Sequence, residues 1–275
     1  MSIAQPFSVS AIPPSAHLCA ILDRAADGEL ITNLLEMDPH NQLLWTELFP
    51  ETHYAELSST GPLLLWFPCD GEIRDYVLAL IEQAHAGCLA LLPQRHLFGS
   101  ASEHCRHLLT ATDDRQQERL CRFFEPRWLE PLLTSLNDDE RQQFFGPFSA
   151  LIWWNELGWR VSQRQLPWSG LVPARGWLLL DQKRHQQLRE ARLKVIAERL
   201  ASDYQPQLRH QGAPFVVQQL KQAERHGYSG ISQWEGWLRL GLRHGPEFAS
   251  EPRFSTILNN PDLAPGERLK AMEQL

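Results

Sequence analysis

The pattern of apolar and polar positions divides the chain into a mixed first part and a helical second part. GELITNLLEM reads as a short helix. TGPLLLWFP and GCLALLP are compact apolar runs between breakers, the signature of buried strands. Between them, DGEIRDYVLALIEQAH places Ile73, Val77, Leu80, Ile81 and Ala84 at helical spacing, one stripe facing a core. The three segments predict a strand–helix–strand unit. Ser100 and Glu103 then form an S-x-x-E capping box, which predicts a helix starting at about Ala101. ERLCRFF reads as a strand after the polar turn DDRQQ, and PRWLEPLLTSL as a helix, although Pro131 can break or kink one. Asn137 and Glu140 can box a further short helix, and GPFSALIWW returns as a strand.

Beyond Trp159 the pattern changes. RQLPWSGLVPARGW carries Pro167, Gly170 and Pro173, which interrupt any regular element and suggest a linker. After it, DQKRHQQLREARLKVIAERLASDY is helical, with apolar residues on more than one face. APFVVQQLKQAERHG has a stripe of Val216, Leu220 and Ala223 and a stop at Gly227, and ISQWEGWLRLGL repeats the stripe with Ile231, Trp234, Leu238 and Leu242. APGERLKAMEQL offers Pro265 at a helix start. The expected architecture is an α+β or α/β N-terminal lobe, residues 1–165, with a mixed sheet and flanking helices. A linker over 166–179 and an all-helical C-terminal lobe over 180–275 complete it.

Composition narrows the function. The 275 residues are 43% hydrophobic and 21% charged, ordinary for a globular chain, with a formal charge of -7. That balance argues against nucleic acid and anionic membranes as partners, since both demand a basic surface. No run approaches the ~18 consecutive apolar residues of a membrane span. Five cysteines, an odd number without a CxxC pair, suit reduced thiols and a cytoplasmic location.

Candidate chemistry is sparse. His104 and His107, spaced i,i+3 on one predicted helix, share a face and could bind a metal with a carboxylate from elsewhere. No HExxH and no second ligand pair accompanies them. Cys105 lies between them, in a helical setting that favours an inert thiol. Asp70, Glu72 and Asp75, like Asp138, Asp139 and Glu140, sit at predicted helix starts, where the macrodipole favours negative charge. Phosphate-binding loops, GxGxxG and GxSxG are absent. Trp153, Trp154, Trp159, Trp168 and Trp177 crowd one window, with Trp234 and Trp237 in the helical part. Such rings fill cores or anchor interfaces.

Six blocks in order carry a resemblance. They are Leu22-Asp23, W-x-x-L-F from Trp45 to Phe49, T-G-P-L-L from Thr60 to Leu64, H-x-R from His104 to Arg106, R-F-F-E-P-R-W-L from Arg122 to Leu129, and F-F-G-P from Phe144 to Pro147. Together they resemble the adaptor domain of bacterial type VI secretion over roughly residues 15 to 155. In that family the fourth block usually reads H-L-R and the fifth is close to R-F-Y-D-P-R. Here Cys105 stands for the leucine, Phe124 for the tyrosine and Glu125 for the aspartate. The resemblance implies a cytoplasmic chaperone, not an enzyme, without cofactor. It would bind a cognate toxic effector through the effector's N-terminal region and help load it onto the spike protein VgrG.

On this reading His104, Arg106, Arg122, Glu125 and Arg127 form a structural frame or contact a partner, and the tryptophans are interface anchors. The helical lobe is expected to hold the effector in a groove between the lobes, rimmed by Arg239, Arg243 and His244, while the first lobe faces the spike. Two alternatives stay open on the residues alone. One is a metal-dependent hydrolase using His104 and His107. The other is an aromatic-lined ligand-binding module.

Overall fold

The computed structural model describes residues 3–208 and 211–275. Two compact units divide the chain, Met1–Arg192 and Leu193–Leu275.

The first unit contains strands β1 (Gln5–Pro6), β2 (His17–Asp23), β3 (Leu44–Glu47), β4 (Pro62–Phe67), β5 (Gly87–Leu92), β6 (Thr110–Thr112), β7 (Glu118–Leu120), β8 (Ala150–Asn155), β9 (Gly158–Gln163) and β10 (Leu178–Leu179). Its helices are α1 (Leu30–Glu36), α2 (Glu72–Ala84), α3 (Phe98–Leu108), α4 (Pro126–Ser135) and α5 (Asp138–Phe145). Among the described residues, seven strands form an antiparallel sheet in the order β1-β9-β8-β5-β2-β4-β3. A small mixed sheet, β10-β6-β7, joins a parallel and an antiparallel pair.

The apolar runs follow from burial on both sheet faces. Along β2, Leu18, Ala20 and Leu22 point into one cluster with Leu30 and Leu34 of α1 and Ile73, Val77 and Ile81 of α2. The alternate residues Cys19 and Ile21 point into another with Ala101, Cys105 and Leu108 of α3, Leu129 and Leu133 of α4, and Phe144 of α5. The predicted strand–helix–strand unit is β4-α2-β5, and its two strands flank β2, so α2 crosses over the central strand.

Three local expectations are corrected. Helix α3 starts at Phe98, not Ala101, and its N-cap Leu97 makes no side-chain cap bond. A 3-10 turn over Arg95–Leu97 runs straight into the helix, so Ser100 is already inside it. The ERLCRFF strand stops at Leu120, because the Glu125 amide bonds the Arg122 carbonyl and closes a turn. Pro131 does not break its helix: α4 runs through it. The box at Asn137 and Glu140 forms with both hydrogen bonds present.

Helix α6 (Gln182–Asp203) carries the boundary between the units. Its first half is bound into the first unit. Leu188 joins the α3–α5 core cluster, and Arg184 pairs with Glu140 at 2.7 Å. The segment 166–179, read as a linker, lies within the first unit, and β10 inside it pairs with β6. The second unit continues with α7 (Gln205–Leu208), α8 (Gly212–Arg225), α9 (Ile231–His244), α10 (Pro252–Leu258) and α11 (Pro265–Glu273). Val216, Leu220 and Ala223 of α8 are fully buried in its core with Trp237 and Leu238 of α9 and Met272 of α11.

Candidate functional site

Helix α3 presents three polar side chains in three directions, and each ties it to a different segment. His104 is fully buried. Its Nε2–H donates to the Phe144 carbonyl at 2.9 Å, at the end of α5. Burial pushes its pKa down to about 4, against the opposing pull of that hydrogen bond, so the ring is neutral at pH 7. The fit is close: a Cβ on Gly146, whose φ is +51°, would sit 2.5 Å from the ring. His107 Nδ1–H donates to the Pro173 carbonyl at 2.7 Å. Arg106 Nη2 donates to Thr46 Oγ1 at 3.1 Å and to the Glu47 carbonyl at 3.3 Å, fastening α3 to β3. The two histidines therefore serve two separate carbonyls. Among the described residues, no group of three or more His, Cys, Asp and Glu side chains is placed to hold a metal ion. Cys105 is buried, and that burial raises its pKa well above the ordinary thiol range, so it stays protonated.

The remaining frame residues form a chain of ion pairs around the end of β2. Glu47 accepts from Arg24 at 2.6 Å. The neighbouring Asp23 accepts from Arg122 Nη2 at 2.5 Å and from the Ala25 amide. Arg122 Nε lies 3.5 Å from Glu125, whose Oε1 accepts from Arg127 Nε at 2.6 Å. Glu125 occupies the N-cap position of α4 but makes no cap bond, because its carboxylate is engaged by the two arginines. Arg122 stands in the turn before α4, not on a strand. Its side chain and that of Arg127 are about half exposed, at 48% and 49%, so each can hold the frame and still face a partner.

The chain of contacts continues to a residue the sequence did not single out. Arg192 Nη1 donates to the Arg127 carbonyl at 2.8 Å, its Nη2 lies 3.6 Å from Glu156, and its guanidinium sits 5.0 Å over the Trp128 ring. The Arg127 carbonyl is the one that Pro131, lacking an N–H, leaves unpaired in α4. Arg192 supplies the missing donor. Only a proline four residues past a carbonyl, read together with a distant arginine, could have signalled this.

The seven tryptophans separate into two groups. Trp153 and Trp237 are fully buried, and Trp237 packs against Tyr228 and Phe248. Trp154 and Trp159 meet edge-to-face at 5.7 Å, with Trp159 Nε1 donating to Glu82. Trp234 Nε1 donates to the Tyr228 carbonyl. These five are packing residues. Trp168 and Trp177 instead line a cavity of about 470 Å³ under the 166–174 segment. The helical-unit arginines named as a polar rim bind locally: Arg239 pairs with Glu273 at 2.7 Å, and Arg243 reaches the Glu273 carbonyl. His244 packs against Phe254 at 5.0 Å.

Among the described residues, no helix is long and apolar enough to cross a membrane. No curated protein and no solved structure matches the chain. Residues 18–143, which span β2 to α5, match the family model described as Domain of unknown function (DUF4123).

Proposed function

We propose that this protein is an adaptor. It would act as a cytoplasmic chaperone that binds a cognate toxic effector and helps load it onto the type VI secretion spike protein VgrG. One observation supports this above others: the six sequence blocks that carry the resemblance meet in space. Asp23 of the first block pairs with Arg122 of the fifth, and Arg106 of the fourth holds Thr46 and Glu47 within the second. His104 of the fourth bonds Phe144 of the sixth, and Gly61 of the third lies against the Phe49 ring. Blocks dispersed over more than a hundred residues thus form one frame, as expected of a module kept for a shared task. His104 and His107 bond internal carbonyls and Cys105 is buried, which supports a binding role for this frame. The first unit is assigned to the spike and the helical unit to the effector's N-terminal region.

Co-expression with the toxin encoded beside the adaptor and spike genes tests the proposal. The expected result is a complex that survives size exclusion and is lost when the toxin's N-terminal region is removed. Two folded proteins eluting separately would overturn it.

A further inference from the structure

The 470 Å³ cavity in the first unit has walls of Leu166, Pro167, Trp168, Leu171, Val172 and Pro173. Arg164 also lines it, and that arginine is unusual. Its backbone amide bonds Ser149, but among the described residues its guanidinium makes no hydrogen bond or ion pair. Nε and Nη1 are sealed from solvent without a partner, which leaves Nη2 as the accessible end. Arg74, Arg106, Arg160 and Arg184 each leave one buried nitrogen unpartnered, yet each spends another on a carbonyl, hydroxyl or carboxylate; Arg268 also leaves one, and among the described residues Arg164 is the arginine that leaves two. Burial lowers the Arg164 pKa, with no anion among the described residues to offset it. An unpaired cation beside an apolar cavity costs stability, and a bound anion would remove that cost.

We propose that this cavity is a docking site for an extended peptide segment of a partner protein, one that carries an aspartate or glutamate flanked by apolar side chains. The carboxylate pairs with Arg164 in a charge-assisted hydrogen bond, and the apolar neighbours lie against the proline- and leucine-rich walls. A single cation calls for a single carboxylate. A second cavity adjoins it, and that combined extent argues for a peptide over a small free acid. Leu166 and Leu171 stand at the mouth 63% and 75% exposed. A second cavity of about 630 Å³, which shares Gln142 and Leu166 with the first, extends the track toward Asp138 and Asp139. The two histidines of α3 steady the site. His107 holds the Pro173 carbonyl in one wall, and His104 packs under Gly146 in another. The occupant is defined by its chemistry and goes beyond the adaptor reading, since any partner bearing such a segment would serve.

Random peptides displayed on phage and selected against the immobilised full chain are the probe. Selected peptides should share an acidic residue with apolar neighbours and bind Arg164→Met about tenfold or more weakly, with Arg164→Lys between the two. Arg164→Met should melt no lower than the wild type, because it removes an unpaired charge. Leu171→Glu, an exposed change at the mouth, should also abolish binding by repelling the peptide's carboxylate, and it decides the case if Arg164→Met fails to fold. Dodecanoate should not displace the peptides. The proposal is overturned if no peptide is selected, if the selected ones lack a common carboxylate, or if binding survives both substitutions. Displacement by dodecanoate would also overturn it, giving the cavity to free apolar acids.

Discussion

His104 ties α3 to α5 at the cost of a sensitivity to acid. Its folded pKa is about 4, against 6.5 for the free side chain, and burial is the main cause. Between those values the unfolded chain takes up a proton that the folded chain refuses. Stability therefore falls as pH drops from about 6.5 toward about 4, by about 1.4 kcal/mol per pH unit inside that window. Urea unfolding at pH 7 and pH 5 should show the wild type losing about 2 kcal/mol more than His104→Gln, whose amide can still donate to the Phe144 carbonyl. Equal losses in both proteins would show that His104 is not the buried neutral group. The sequence displayed the two histidines at i,i+3 and invited a metal. It could not display the carbonyls of Phe144 and Pro173, which lie 40 and 66 residues away.

Helix α4 illustrates which element properties are local. Its start at Pro126 was legible, since proline suits the first helical position, and so was the boxed start of α5 at Asn137. Its passage through Pro131 was not, because the compensating donor, Arg192, is on another helix. The two residues should therefore be coupled. Arg192→Met should cost about 1–3 kcal/mol by leaving the Arg127 carbonyl unpaired, besides stranding the nearly buried Glu156. In a Pro131→Ala background the helix supplies its own N–H to that carbonyl, so the same substitution should cost about 1 kcal/mol less. A double-mutant cycle measures this, and strict additivity would contradict it. The helix-start error at α3 has a similar origin: the 3-10 turn before it does the work that a capping side chain does elsewhere.

At the scale of the whole molecule, the apolar runs located the central strands but not their order. A continuous run such as Leu63–Leu65 reports burial on both faces and does not specify neighbours. The frame was half legible. Arg122, Glu125 and Arg127 are close in sequence, but the Asp23–Arg122 pair closes a loop of 99 residues. The boundary between the units was read from the prolines and glycines of 166–179. The contacts of Arg184, Leu188 and Arg192 instead carry the first unit on into α6.

If this frame belongs to an adaptor, the chain should be necessary and sufficient to bring toxin and spike together. The direct measurement mixes three purified components: immobilised spike protein, the cognate toxin, and this protein in increasing amount. The account predicts that toxin is retained on the spike only when the protein is present, with retention saturating near one copy per toxin bound. Toxin retained equally well in its absence, or never retained in its presence, would contradict the account.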